Sequence, residues 1–192
     1  DVPVIPFDMD KAQELLAEAG YPDGGFTLKV AYESAQDEKT RAFEMVQQNW
    51  GALGITVEPI GVDWMIQTTL QGDPDSEPDV YLGYIWPAAA EPDTAMREYW
   101  HSEYLSYGNN GPYWSDPQVD ALFEKGITAL SDYEREGYYR EIQSLIADAV
   151  PQKLVSEGPY LIVAQPWVKG YVYNVAHHQA VDVYNMQLVG KP

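Results

Sequence analysis

The spacing of apolar positions changes several times along the chain, and each change marks an element. Ala12, Leu15, Leu16 and Ala19 recur at helical spacing behind Asp8, a good N-cap residue, with Gly20 after them. This predicts a helix from Asp8 to Ala19. Beyond the turn Tyr21-Pro22-Asp23-Gly24-Gly25 the period drops to two, so Phe26, Leu28, Val30 and Tyr32 share one side of a strand expected over Phe26–Tyr32. Helical spacing returns over Asp37–Leu53, with Phe43, Val46, Trp50 and Leu53 as the buried stripe and Gly54 at the C′ position. A second strand is expected at Ile55–Ile60, with Gly61 leading to Asp63 as the cap of a short helix Trp64–Leu70. After the polar stretch Gln71–Pro78 comes Val80–Ile85, a short apolar run of the kind that forms a strand buried on both faces. Strand, helix, strand, helix, strand at this spacing is two right-handed βαβ crossovers. The expected fold is therefore α/β, a parallel sheet with helices on both faces.

The second half reads mainly as helix. A short helix is expected after a loop at Glu91–Thr94, running through Tyr99. His101–Trp114 is aromatic and rich in Gly and Asn, which reads as surface loop, with Tyr113 and Trp114 anchoring the next helix. Ser115-Asp116-Pro117 opens that helix, whose inner face is Val119, Leu122, Phe123 and Ile127. Ser131 with Glu134 forms a capping box for the longest helix, which runs to Val150 with Tyr138, Ile142, Leu145 and Ile146 in its stripe and is stopped by Pro151. Leu154–Val155, Tyr160–Ala164 and Tyr171–Val175 are short strand candidates in a β-rich tail, whereas Asp1–Phe7 is extended and Pro-punctuated, like a linker.

Composition narrows the function. Thirty acids against eleven bases give a formal charge of −19, a surface that repels nucleic acid and anionic lipid. The absence of cysteine removes disulfides and thiolate metal sites. His101, His177 and His178 show neither helical i, i+4 spacing nor a mixed His/carboxylate cluster, so no metal site is expected. No cofactor is implied, and no apolar run is long enough to span a membrane. The chain starts at Asp1 without Met, as a processed product or a piece of something longer would. Fifteen Tyr and six Trp favour amphipathic solutes, because both side chains pair a flat apolar body with a polar tip.

The candidate chemistry gathers at the expected carboxyl ends of the strands, where open α/β sheets bind ligands. Trp86 ends the third strand either as a platform or as core filler, Tyr84 shares its face or packs under a helix, and Tyr32 ends the first strand at the same edge as a second candidate. Trp64, behind its Asp cap, reads as packing. Glu91 and Asp93 stand two apart in the following loop. They fit the acid and base of a glycoside hydrolase, or else Asp93 caps the next helix while Glu91 faces water or a cationic ligand group.

Several segments together resemble the second lobe of the family 5 extracellular solute-binding proteins of ABC importers. They are DMDKAQELLAEAGYPDGGFTLKV, GITVEPIGVDW, YWSDPQVDALFEKG and SDYEREGYYREIQSLIADAVP. The resemblance covers Phe7 to about Val175 in unbroken order. It implies a periplasmic-binding-protein-like lobe of class II type in a receptor that is periplasmic or extracellular, free or lipid-anchored in its full-length form. Such a receptor closes two lobes over a peptide, nickel or oligosaccharide and docks on a membrane permease. It implies the organisation 1–7 as linker from a missing first lobe, 8–166 as ligand-binding lobe, and 167–192 as a tail returning towards that first lobe. The family's peptide binders carry an Asp three residues past the Trp, where it pairs with the peptide amino terminus. Here that position, counted from Trp86, is Ala89, which brings an uncharged solute such as an oligosaccharide level with a peptide.

Overall fold

The first strand is the centre of the sheet because it is the one with a partner on each side. In a computed structural model, which describes residues 5–73, 75–76, 78–85, 89–105, 111–155, 161–174 and 181–191, β1 (Thr27–Glu33) lies between β2 (Thr56–Val62) and β3 (Val80–Leu82). Both pairings are parallel, with Tyr32 level with Gly61 on one side and Leu82 on the other. Accordingly Val30 and Ala31, successive residues on opposite faces of β1, are fully buried. The sheet is led into by α1 (Met9–Glu18), capped by the Asp8 carboxylate, which accepts from the Lys11 N–H at 2.8 Å.

Connections of right-handed sense place α2 (Asp37–Ala52) and α3 (Trp64–Gln71) on opposite faces. The α2 face holds one core: Val30, Phe43 and Val57, with Tyr32, Trp50, Val80 and Leu82 against it. Phe43 stacks flat on Tyr32, the ring centroids 4.6 Å apart and the planes 10° from parallel. Gly54 turns the chain from α2 into β2 with φ of +80°, a left-handed conformation in which a side chain would run into the Asp23 carbonyl. Asp63 caps α3 as expected, its Oδ1 accepting from the Ile66 N–H at 3.0 Å.

A second core is helical. α4 (Pro92–Trp100) leads through a 3₁₀ turn, Ser102–Tyr104, to α5 (Pro117–Thr128) and α6 (Asp132–Ala149). Met96, Trp100, Val119, Leu122, Phe123, Tyr139, Ile142 and Ile146 form its interior. At Gly126 the α5 and α6 backbones approach so closely that an added Cβ would stand 2.9 Å from the Tyr139 ring. The Ser131/Glu134 capping contact is present at 3.2 Å. Val150 ends α6 in the left-handed region, and Pro151 prevents continuation.

Several expectations need correction. β3 has three half-buried residues and lies at the edge of the sheet, whereas Val80–Ile85 was expected to be a strand buried on both faces. The strand ends where Gly83 passes against the amide tips of Gln67 and Gln71. Gly61 lies inside β2 and does not follow it. His101 is buried at the end of α4, where its Nδ1 accepts the Glu103 N–H at 3.1 Å, so this part of His101–Trp114 is packed structure and not surface loop. Ile127 is half-exposed because the inner face of α5 passes through Gly126 instead. Tyr139 takes the central buried place in α6, with Tyr138 and Leu145 partly buried beside it. Among the described residues, the three strand candidates after Pro151 form no strand; a two-residue antiparallel pair, β4 (Val168–Lys169) with β5 (Gln187–Leu188), is the tail's regular structure. Leu154, Val155, Leu161 and Val163 are exposed.

Candidate functional site

Parallel pairing brings the carboxyl ends of β1, β2 and β3 to one lip, and the residues just past those ends decide its chemistry. Glu33 is the last residue of β1 and is buried, 5% exposed. Lys39, in the first turn of α2, reaches over the strand end and pairs with Glu33 Oε2. Its ammonium lies 4.1 Å from the Tyr84 ring centroid and 5.9 Å from that of Trp64. Trp64 opens α3 directly after β2, and Tyr84 stands two residues beyond β3. Three strand ends thus contribute a carboxylate with its cation and two aromatic rings.

Burying two unpaired charges would cost several kcal/mol each, so Glu33 and Lys39 are tolerable here because each neutralises the other and Lys39 also faces a ring. The rings remain accessible: Trp64 is 50% and Tyr84 47% exposed, with Met65 exposed beside them. Beneath them Gln67 is fully buried and donates from Nε2 to the Leu82 carbonyl at 3.2 Å, tying α3 to the end of β3. The lip is a neutral aromatic surface laid over a buried ion pair. Reading Trp64 as packing misses its half-exposed ring. Lys39, outside the apolar stripe of its helix, is missed too, because nothing in the spacing says that a lysine will fold inward.

The other sequence candidates divide between lip and scaffold. Tyr32 sits at the lip end of β1, but its ring is spent on Phe43. Trp86 lies outside the described residues, and so do His177 and His178. Ala89 is half-buried in the bend before α4. Glu91, not Asp93, caps α4: its Oε2 accepts from the Thr94 N–H at 2.9 Å, and its other oxygen pairs with Arg135. Pro92 follows at N1, so the stretch expected as loop is the first helical turn.

Asp93 points into the helical core. It accepts Arg97 Nε at 2.9 and 3.1 Å and the Tyr139 hydroxyl at 2.8 Å. Arg97 Nη1 continues the network to Glu124 at 2.7 Å. Burial alone would lower the Arg97 pKa, yet its hydrogen bonds to Asp93 and Glu124 raise it above the usual arginine value. Burial, and then the bond to Asp93, push the Tyr139 hydroxyl up to about 12. Both carboxylates are therefore engaged by arginines as structural partners.

A shallow cavity of about 470 Å³ lies elsewhere, at the α5–α6 turn, lined by Leu130, Ser131, Asp132 and Arg135 among others. Its Arg135 is paired with Glu91 and its Ser131 caps α6, so these groups serve the helices, and the lip is the better candidate. Among the described residues no group of three or more His, Asp or Glu side chains could hold a metal ion, and no helix is long and apolar enough to cross a membrane.

Comparison with known proteins agrees with this architecture. Residues 1–107 match the family described as bacterial extracellular solute-binding proteins, family 5 Middle. Heme-binding protein A of Haemophilus influenzae is 24% identical over 190 residues, covering 97% of this chain and 34% of that protein. Glutathione-binding protein GsiB of Salmonella choleraesuis is 30% identical over 162 residues, covering 79% of this chain and 31% of its own length. Among solved structures, clavulanic acid biosynthesis oligopeptide binding protein 2 superposes with a TM-score of 0.81 at 20% identity, over 98% of this chain and 36% of that one. The chain spans about a third of the length of the curated relatives it matches. With a parallel α/β lobe, a strand-end lip and more than half its residues matched by the family, this chain belongs to the family 5 bacterial extracellular solute-binding proteins.

Proposed function

We propose that the full-length protein is the solute-capturing component of an ABC importer, in which this lobe forms one wall of a cleft and a first lobe the other. The observation that carries the reading is the pair of half-exposed rings, Trp64 and Tyr84, standing over the buried Glu33–Lys39 pair where three parallel strands end. Trp86, two residues beyond Tyr84 in sequence, and Tyr32, at the end of the first strand, are further solute-contact candidates of this reading. Solute contacts made only in the closed state would favour hinge closure, and the closed form would deliver the solute to the membrane permease. Residues 1–7 are the linker from the first lobe, 8–166 the binding lobe, and 167–192 the tail returning to the first lobe. The protein acts outside the cytoplasmic membrane, as the family's extracellular description supports.

The solute is a peptide or another small molecule. Relatives named for oligopeptides and glutathione support a peptide. A second reading, an oligosaccharide or other uncharged solute, is favoured by one observation. Ala89 supplies no carboxylate for a peptide amine, while Glu91 and Asp93 are occupied by Arg135 and Arg97. The same occupancy leaves neither carboxylate placed as acid or base of a glycosidase, and we assign the protein no reaction. The test begins with mass spectrometry of whatever co-purifies with the full-length protein, followed by calorimetry with that compound. Trp64→Ala and Tyr84→Ala are each expected to weaken binding by about tenfold, the loss of one stacked ring. Unchanged affinity in both variants would remove the lip from the binding site.

A further inference from the structure

We infer that the buried Glu33–Lys39 pair makes this wall selective for the uncharged ring or aliphatic face of a solute and turns an ammonium group away from Tyr84. The inference rests on the reading of the lip as a solute wall and gives that wall a chemical preference.

An aromatic ring attracts a cation through the negative quadrupole of its face. At this lip that attraction is already used from within the protein, since the Lys39 ammonium lies 4.1 Å from the Tyr84 centroid and 5.9 Å from the Trp64 centroid. The Lys39 side chain is 5% exposed and that of its counter-ion Glu33 7%, so neither charge is free to swing out and meet a ligand ion. The accessible part of Tyr84, 47% of the residue, therefore belongs to a ring whose electron density is drawn towards an internal cation. A ligand ammonium approaching that ring meets a weakened quadrupole whose other side is already taken by the ammonium end of the ion pair. A neutral ring or aliphatic face stacks without this penalty, because dispersion and area burial do not depend on the sign of the quadrupole. The carboxylates that could compensate a ligand amine from the following segment, Glu91 and Asp93, are bound to Arg135 and Arg97.

The test compares two probes that share a ring and differ in charge, para-fluorobenzyl alcohol and para-fluorobenzylamine, the latter an ammonium at neutral pH. Each is titrated into the full-length protein and followed by fluorine NMR. The alcohol is expected to bind about threefold to fivefold more tightly, because the ammonium meets the Lys39 charge across an occupied ring, a repulsion of the size of one exposed cation–π contact. In the paired variant Glu33→Gln/Lys39→Met, which removes both charges together and leaves no buried ion unpaired, the ratio should fall to about one or below, because the ring is then free to attract the ammonium. Should the paired variant fold poorly, Tyr84→Leu at this half-exposed position gives a second reading: it removes the ring, keeps an apolar contact, and should bring the ratio to about one. Equal affinity for the two probes in the natural protein, or an unchanged ratio in both variants, overturns the inference. Probe binding that survives Tyr84→Ala and Trp64→Ala at full strength would instead overturn the reading of the lip itself. Loss of both probes in those variants, together with equal affinities in the natural protein, would overturn the charge preference alone.

Discussion

Replacing Tyr139 with Phe tests the helical core and makes two separate quantitative claims. The phenyl ring stays in place: Tyr139 is 4% exposed and flush against Gly126, so the substitution neither opens a cavity nor adds bulk. The group lost is the hydroxyl, with its 2.8 Å hydrogen bond to Asp93 Oδ1. A bond to a charged acceptor contributes roughly 1.5–3 kcal/mol, but Asp93 keeps both contacts from Arg97 Nε and is not left without a donor. The expected loss at neutral pH is therefore about 1–2 kcal/mol, measured by urea titration with far-UV circular dichroism.

The second claim concerns alkaline pH. Burial and Asp93 push the Tyr139 hydroxyl up to about 12, whereas a tyrosine in the unfolded chain titrates near about 10. A pKa raised on folding stabilises the fold fully below the unfolded value, and that stability is lost as pH rises towards the folded value. The advantage of the natural protein over Tyr139→Phe should hold steady up to about pH 10 and then fall by about 2 kcal/mol by about pH 12, enough to cancel it. Equal stability of the two proteins at neutral pH, or a gap that stays flat through the alkaline range, would refute the assignment.

Two further outcomes rest on local geometry. Gly54→Ala should cost at least about 1–2 kcal/mol in a thermal or urea melt, because the residue must hold φ at +80° and its new methyl would meet the Asp23 carbonyl. Glu91→Gln should cost about 1 kcal/mol by weakening the α4 cap and the Arg135 pair, while leaving solute affinity unchanged; a large loss of affinity with intact stability would return Glu91 to the binding site.

Much of the sheet could be read from the sequence because its signals are local and agree with one another. The alternation Phe26, Leu28, Val30, Tyr32, the stripe Phe43, Val46, Trp50, Leu53 and the cap at Asp63 each come from spacing, and their order dictates parallel strands. The failures were non-local. Val80–Ile85 has the composition of a central strand, yet which strand is central depends on which one collects two partners, and that falls to β1. At Glu91 and Asp93 both residues are acceptable caps, and the choice was settled by Arg97 and Tyr139, which claim Asp93 from within the core. The common carboxyl edge of the three strands follows from their parallel order. Its inward-folded Lys39 could not be foreseen, because the pairing with Glu33 becomes favourable only once the strand end is buried. The tail strands were misplaced since two-residue pairings leave almost no periodic trace.

The apolar interior is divided between two centres, one under the strands and one among α4, α5 and α6. Opening of one centre need not open the other, since cooperative units follow contiguous packing. The rings of Trp64 and Tyr84 are set on the sheet side, whereas the arginine–carboxylate–tyrosine network secures the helices. Variation that tunes heat tolerance through the helices can thus accumulate without altering the aromatic lip at the strand ends, and the reverse holds equally.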